Sequence, residues 1–253
     1  MIRRLALLAP LLTAAAPAQS HFLEMIPSAD IVDVEGARKV SIDIAFTHPM
    51  EGGPTMEMAA PARFGVQVDG KKTDLKAALS PVKRQGKQAF TAEYAFKEPG
   101  AYLFYLEPQP YWEPAEGKFI VHYTKVVADF GGGEEWDAAV GFPNEIQPLA
   151  RPYGLWTGNL FRGIVKKDGK PLPFAEIEVE WRNDGSVKAP SDPFVTQVIK
   201  ADDRGVFAYA MPRAGWWAFN ALAESDKTLK APDGKARKIE MGGTIWVKTV
   251  DMK

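Results

Sequence analysis

Apolar and polar positions alternate with a period of two through residues 40–46, 64–68 and 101–106, and less strictly through 118–123. Successive side chains of a strand point to opposite faces, so this pattern predicts half-buried strands rather than helices. Turn signals separate the runs: Asp69-Gly70-Lys71-Lys72 and Glu98-Pro99-Gly100 put glycine or proline where the chain must reverse. Residues 74–79 offer only a short helix. Alternation resumes through 160–165 and 175–181, with further strands predicted at 194–199, 205–210, 216–222 and 244–250. Between the two series, Gly131-Gly132-Gly133, acidic residues, Pro143, Pro148 and Pro152 break the pattern.

The expected fold is all-β, with two β-sandwich domains of immunoglobulin-like and transthyretin-like type following a cleaved leader. The leader is read from Arg3 and Arg4, the apolar run Leu5 to Ala16, and small residues at Ala18 and Ser20, the three parts of a secretory signal. The expected organisation is a signal peptide at 1–20, an N-terminal sandwich at 21–130 holding a metal site, a linker at 131–152 and a C-terminal sandwich at 153–253. Export to the periplasm follows, and cleavage after Ser20 would make His21 the first residue. Ala16-Pro17-Ala18 also satisfies the small-x-small rule and would leave Gln19 at the terminus instead.

The formal net charge of −1 gives no reason to expect a nucleic-acid or membrane-surface partner. With no cysteine in the chain, disulfides and thiolate metal sites are excluded, leaving imidazole, carboxylate, thioether and backbone ligands. The Gly-x-Ser-x-Gly elbow, the phosphate-binding loop and the His-Glu-x-x-His pattern are all missing from the sequence, so no enzyme is expected.

Only three histidines occur, His21, His48 and His122, all in the first half. A terminal histidine offers its α-amino and a ring nitrogen, and two further imidazoles complete a nitrogen-rich set suited to Ni(II), Co(II) or Cu(II). His48 ends a predicted strand before Pro49, and His122 lies on another; strand ends and a free terminus can meet at one rim of a sandwich. Met50, Met56 and Met58 would favour Cu(I) if they acted as ligands, but packing is the simpler role for them. Glu24, Glu57 and Glu107 are candidates for fixing a histidine tautomer. Tyr111-Trp112 and Trp216-Trp217 would line a pocket or pack a core.

Longer stretches resemble a known family. They are His21-Phe22, Phe46-Thr47-His48-Pro49-Met50-Glu51-Gly52-Gly53-Pro54, Val68-Asp69-Gly70-Lys71-Lys72-Thr73-Asp74-Leu75, and Tyr111-Trp112-Glu113-Pro114 through Val121-His122-Tyr123-Thr124-Lys125. Gly141-Phe142-Pro143-Asn144-Glu145-Ile146 and Pro148 to Tyr153 extend them. The chain is similar in these to the DUF4198 family, described as the periplasmic component of cobalt/nickel uptake systems of the energy-coupling-factor type. The resemblance implies an all-β protein that handles nickel or cobalt beside membrane metal-uptake transporter components. The expected function is therefore divalent-metal binding. A copper-binding histidine-brace protein or oxidative enzyme, and a structural sandwich without metal, are the alternatives.

Overall fold

The computed structural model describes residues 21–253, and the leader expected at 1–20 lies outside them. The fold is all-β: the helical elements among the described residues are three single 3-10 turns, Lys76–Ala78, Glu135–Asp137 and Asp192–Phe194. The short helix expected at 74–79 is the first of these.

One long sheet organises the molecule. Its strands lie in the order Gln197–Lys200, Glu176–Trp181, Gly215–Lys230, Ala236–Val250, Lys118–Phe130, Gly100–Glu107, Arg63–Val68 and Lys71–Asp74. A four-stranded sheet, in the order Phe22–Pro27, Lys39–Thr47, Lys87–Ala95, Ser80–Arg84, packs over one part of it. A third sheet, built around Leu160–Lys167 with Asn144–Pro148 and Val206–Ala210 on its two sides, packs over another part.

Alternation along the Gly215–Lys230 strand shows which face each covers. Trp216 and Ala218 lie in the first core with Trp246, whereas Trp217, Phe219 and Ala221 lie in the second with Ile245 and Val247. Residues of opposite parity point to opposite faces, so the two cores sit on opposite sides of one sheet. Strands buried on both faces read as nearly continuous apolar runs, which is how 216–219 and 245–247 read in the sequence.

The two sandwiches thus share a sheet rather than being joined only by a tether. Lys118–Phe130 and Ala236–Val250 run parallel, from Phe119 beside Ile239 to Val126 beside Trp246. The segment 131–152, expected as a linker, differs from that reading in carrying the strand Asn144–Pro148. Its prolines hide this: Pro143 precedes the strand and Pro148 is its last residue, positions a strand tolerates. The strand is held down by a buried ion pair, Lys125 Nζ to Glu145 Oε1 at 2.6 Å.

Two adjacent glycines fit the layers together. A Cβ on Gly242 would lie 2.5 Å from the His122 ring, and one on Gly243 would lie 2.9 Å from the Glu145 backbone nitrogen. Gly242 therefore makes room for His122 on one face of the sheet, and Gly243 for the crossing Asn144–Pro148 strand on the other.

Candidate functional site

The first strand runs antiparallel to Lys39–Thr47, with Leu23 opposite Phe46 and Phe22 opposite Thr47. One step further in the same register, His21 faces His48. The rings meet there, with centroids 4.5 Å apart. The first strand is itself tied to the long sheet by Trp246, whose Nε1–H donates to the Leu23 carbonyl at 2.9 Å.

The His21 ring stacks on Phe46 at 5.5 Å and lies 5.9 Å from Tyr111. Its Nε2 is 3.3 Å from Glu113 Oε2, while its Nδ1 is buried without a hydrogen-bond partner. Burial holds its pKa below the ordinary imidazole value, the neighbouring His48 pushes the same way, and Glu113 opposes them. The ring is therefore held toward its neutral form, the form that has a lone pair to offer a cation.

His48 is buried, and the loop that follows it is clamped from two sides. Its carbonyl accepts the Gly53 N–H at 3.2 Å. Met50 N–H donates to Glu180 Oε2 at 3.0 Å, and Asn183 Nδ2 donates to the Met50 carbonyl at 2.9 Å. The second half of the chain thus positions a histidine of the first.

His122 lies one layer deeper, on the long sheet opposite Gly242. Its ring meets Phe46 edge-on at 5.8 Å and Phe22 at 6.4 Å. Burial, with smaller contributions from His21 and Lys118, lowers its pKa to about 3; it is neutral at any physiological pH. Its Nδ1, too, is buried without a partner. Buried polar atoms are nearly always paired, so two orphaned imidazole nitrogens in one region call for an explanation. His122, Phe46, Met58 and Tyr111 also line a cavity of about 130 Å³.

Of the three expected ligands, His21 and His48 stand ring to ring. The Phe46 ring contacts the rings of both His21 and His122. Among the described residues, no group of three or more His, Asp or Glu side chains is placed so that it could hold a metal ion. The methionines divide: Met50 packs in the second core, Met56 and Met58 in the first. Trp216 and Trp217 likewise pack opposite cores.

The three glutamates considered as tautomer-fixing partners are engaged by cations. Glu24 meets Arg84 and Arg182, Glu107 meets Arg63, and Glu57 lies 4.0 Å from Lys83. The carboxylate at the site is Glu113. It lies in the Tyr111-Trp112-Glu113-Pro114 run, whose aromatics carry the expectation of a pocket or core; the carboxylate beside two aromatics is the signal that points to it.

No helix among the described residues is long and apolar enough to cross a membrane. Among solved structures, the chain is similar to domains A168–A170 of titin, at 10% identity over 89% of this chain and 67% of that one, with a TM-score of 0.23. It is similar to a bacterial ice-binding adhesin at 7% identity over 93% and 66% of the two chains, with a TM-score of 0.26. The major pilin subunit BcpA of Bacillus cereus gives 11% identity over 92% and 69%, with a TM-score of 0.22. No curated protein sequence matches. The family described as "Domain of unknown function (DUF4198)" matches residues 18–225, the greater part of the sequence, and the chain belongs to that family.

Proposed function

We propose that this protein binds a divalent transition-metal ion at the His21–His48 rim and delivers it to a membrane metal-uptake transporter. Ni(II) and Co(II) are the proposed cargo, with Cu(II) a third candidate. The observation that carries the reading is the approach of the two imidazoles to 4.5 Å beside an orphaned, buried Nδ1 of His21. These donors fit a borderline cation: imidazole nitrogens suit nickel, cobalt and copper, and no thiolate is present to draw in softer ions.

In a chain processed before His21, the α-amino nitrogen joins the set. His122, held neutral and with its own Nδ1 unpartnered, supplies a third ring without first having to lose a proton. The protein acts as a carrier and not as an enzyme. The leader pattern supports a periplasmic location, and the resemblance to cobalt/nickel uptake components supports the transporter partner.

Titration calorimetry with Ni(II), Co(II) and Cu(II) tests the reading on protein beginning at His21. One residue added before His21, His48→Ala and His122→Ala are each expected to weaken binding at least about tenfold, or 1.4 kcal/mol. Copper should bind most tightly, as the Irving–Williams order requires, so a nickel or cobalt role depends on supply and handover. Affinity should fall as pH drops below about 8, because a proton then competes for the α-amino lone pair, whose ordinary pKa is about 7.7–8, whereas His122, at about 3, stays neutral there. Affinities in all three variants equal to that of the unmodified protein beginning at His21 would remove the site and leave a structural sandwich without metal.

A further inference from the structure

We infer that Glu113 is a positioning residue that fixes the tautomer and orientation of His21, so that Nδ1, together with the α-amino nitrogen of a chain beginning at His21, forms the chelating pair. The inference rests on the metal-binding reading above and names how that site is preorganised.

A neutral imidazole carries one N–H and one lone pair. Glu113 Oε2 lies 3.3 Å from Nε2 of His21. A lone pair on Nε2 would face a carboxylate oxygen and be repelled, whereas an N–H there is attracted. The proton therefore belongs on Nε2 and the lone pair on Nδ1. The surroundings of Nδ1 agree. It is buried without a partner, and a buried N–H left unpaired is the costlier of the two possibilities.

Glu113 is itself fixed. It is buried, and its other oxygen accepts the Ala115 N–H at 3.0 Å. Its backbone ends the short strand Tyr111–Glu113, where it pairs with Lys118. The His21 ring is held from turning by Phe46, stacked at 5.5 Å with planes 25° apart. Bond geometry decides the rest. Nδ1 and the α-amino nitrogen of one histidine close a small ring on a common ion through Cα, Cβ and Cγ, which Nε2 of the same residue cannot do.

The tautomer is read without metal. Long-range proton–nitrogen NMR of uniformly 15N-labelled protein beginning at His21, near pH 7.5, should show His21 protonated on Nε2. Glu113→Gln keeps an accepting oxygen and should preserve that tautomer, whereas Glu113→Leu should shift it toward Nδ1–H. Ni(II) affinity should fall about tenfold or more in Glu113→Leu and much less in Glu113→Gln, as for other partners that orient a ligand histidine. A predominantly Nδ1-protonated His21 in the parent protein, or an unchanged tautomer in a folded Glu113→Leu, would overturn the inference. If Glu113→Leu fails to fold, Glu113→Ala takes its place, and an unchanged His21 tautomer there overturns the inference. A protein whose tautomer follows Glu113 but which binds no Ni(II) supports the positioning and defeats the metal reading instead.

Discussion

Glu145→Leu is expected to destabilise the protein by about 4 kcal/mol or more, the cost of stranding a buried charge and its hydrogen-bond partners. Glu145 does more than face Lys125 at 2.6 Å. Its carboxylate also accepts the backbone N–H groups of Val140, Gly141 and Phe142 at 2.8, 2.9 and 3.2 Å. Burial pushes its pKa up, but the Lys125 pairing and the Val140 and Gly141 amides outweigh it and hold the pKa below the ordinary value, while burial lowers that of Lys125. Removing Glu145 therefore orphans three amides and an ammonium that is 1% exposed.

The reverse deletion is milder. Lys125→Met leaves a carboxylate that keeps its three amides and can take up a proton, at an expected cost of about 2 kcal/mol. The double variant should be less destabilised than the sum of the two single ones, because the ammonium stranded by the first change is absent. Urea denaturation of the four proteins measures this cycle. Single variants that are equal, and each within 1 kcal/mol of the parent, would show that the pair does not hold 140–146 onto the sheet.

The anchoring role of Glu145 lay in a segment whose glycines and prolines signalled a connection, and this marks where sequence reading stopped. Short-range pattern was legible: the alternation at 40–46 and 101–106 lies within the observed strands Lys39–Thr47 and Gly100–Glu107. Long-range pairing was not. Nothing local to 119–126 announces a parallel partner at 239–246, so the two cores looked like separate sandwiches. At the site, a strand end at His48 beside a chain start at His21 was readable as a rim. The contact from Glu113 was hidden, because it depends on Tyr111–Glu113 folding back along Lys118–Ile120. The depth of His122 depends equally on a glycine far along the chain, Gly242.

Glu180 provides the second large effect, a loss of stability as pH rises that Glu180→Gln should abolish. Glu180 is 1% exposed. Burial raises its pKa from 4.5 to about 8, with Glu178 and Glu51 adding to the rise and hydrogen bonds from Thr196 and the Met50 amide opposing it. Between those values the folded protein keeps a proton that the unfolded chain has released. The native state then binds more protons than the unfolded one, so stability falls with increasing pH. The contribution is fully present below 4.5 and is lost on the way up to about 8; by pH 7 the loss amounts to about 3 kcal/mol at 1.36 kcal/mol per pH unit. Glutamine is neutral throughout and keeps an oxygen that can accept the Met50 N–H, so the variant should equal the parent near pH 4.5 and exceed it increasingly above about pH 5. Buried neutral histidines act in the opposite sense, favouring the fold as pH rises from 3 to 6.5 in the case of His122; their contribution cancels in the difference between the two proteins. Denaturant midpoints of parent and Glu180→Gln from pH 4.5 to 8 measure that difference. A constant gap across the range would show that Glu180 is ionised in the fold, and that its carboxylate, not its acid form, clamps the loop carrying His48.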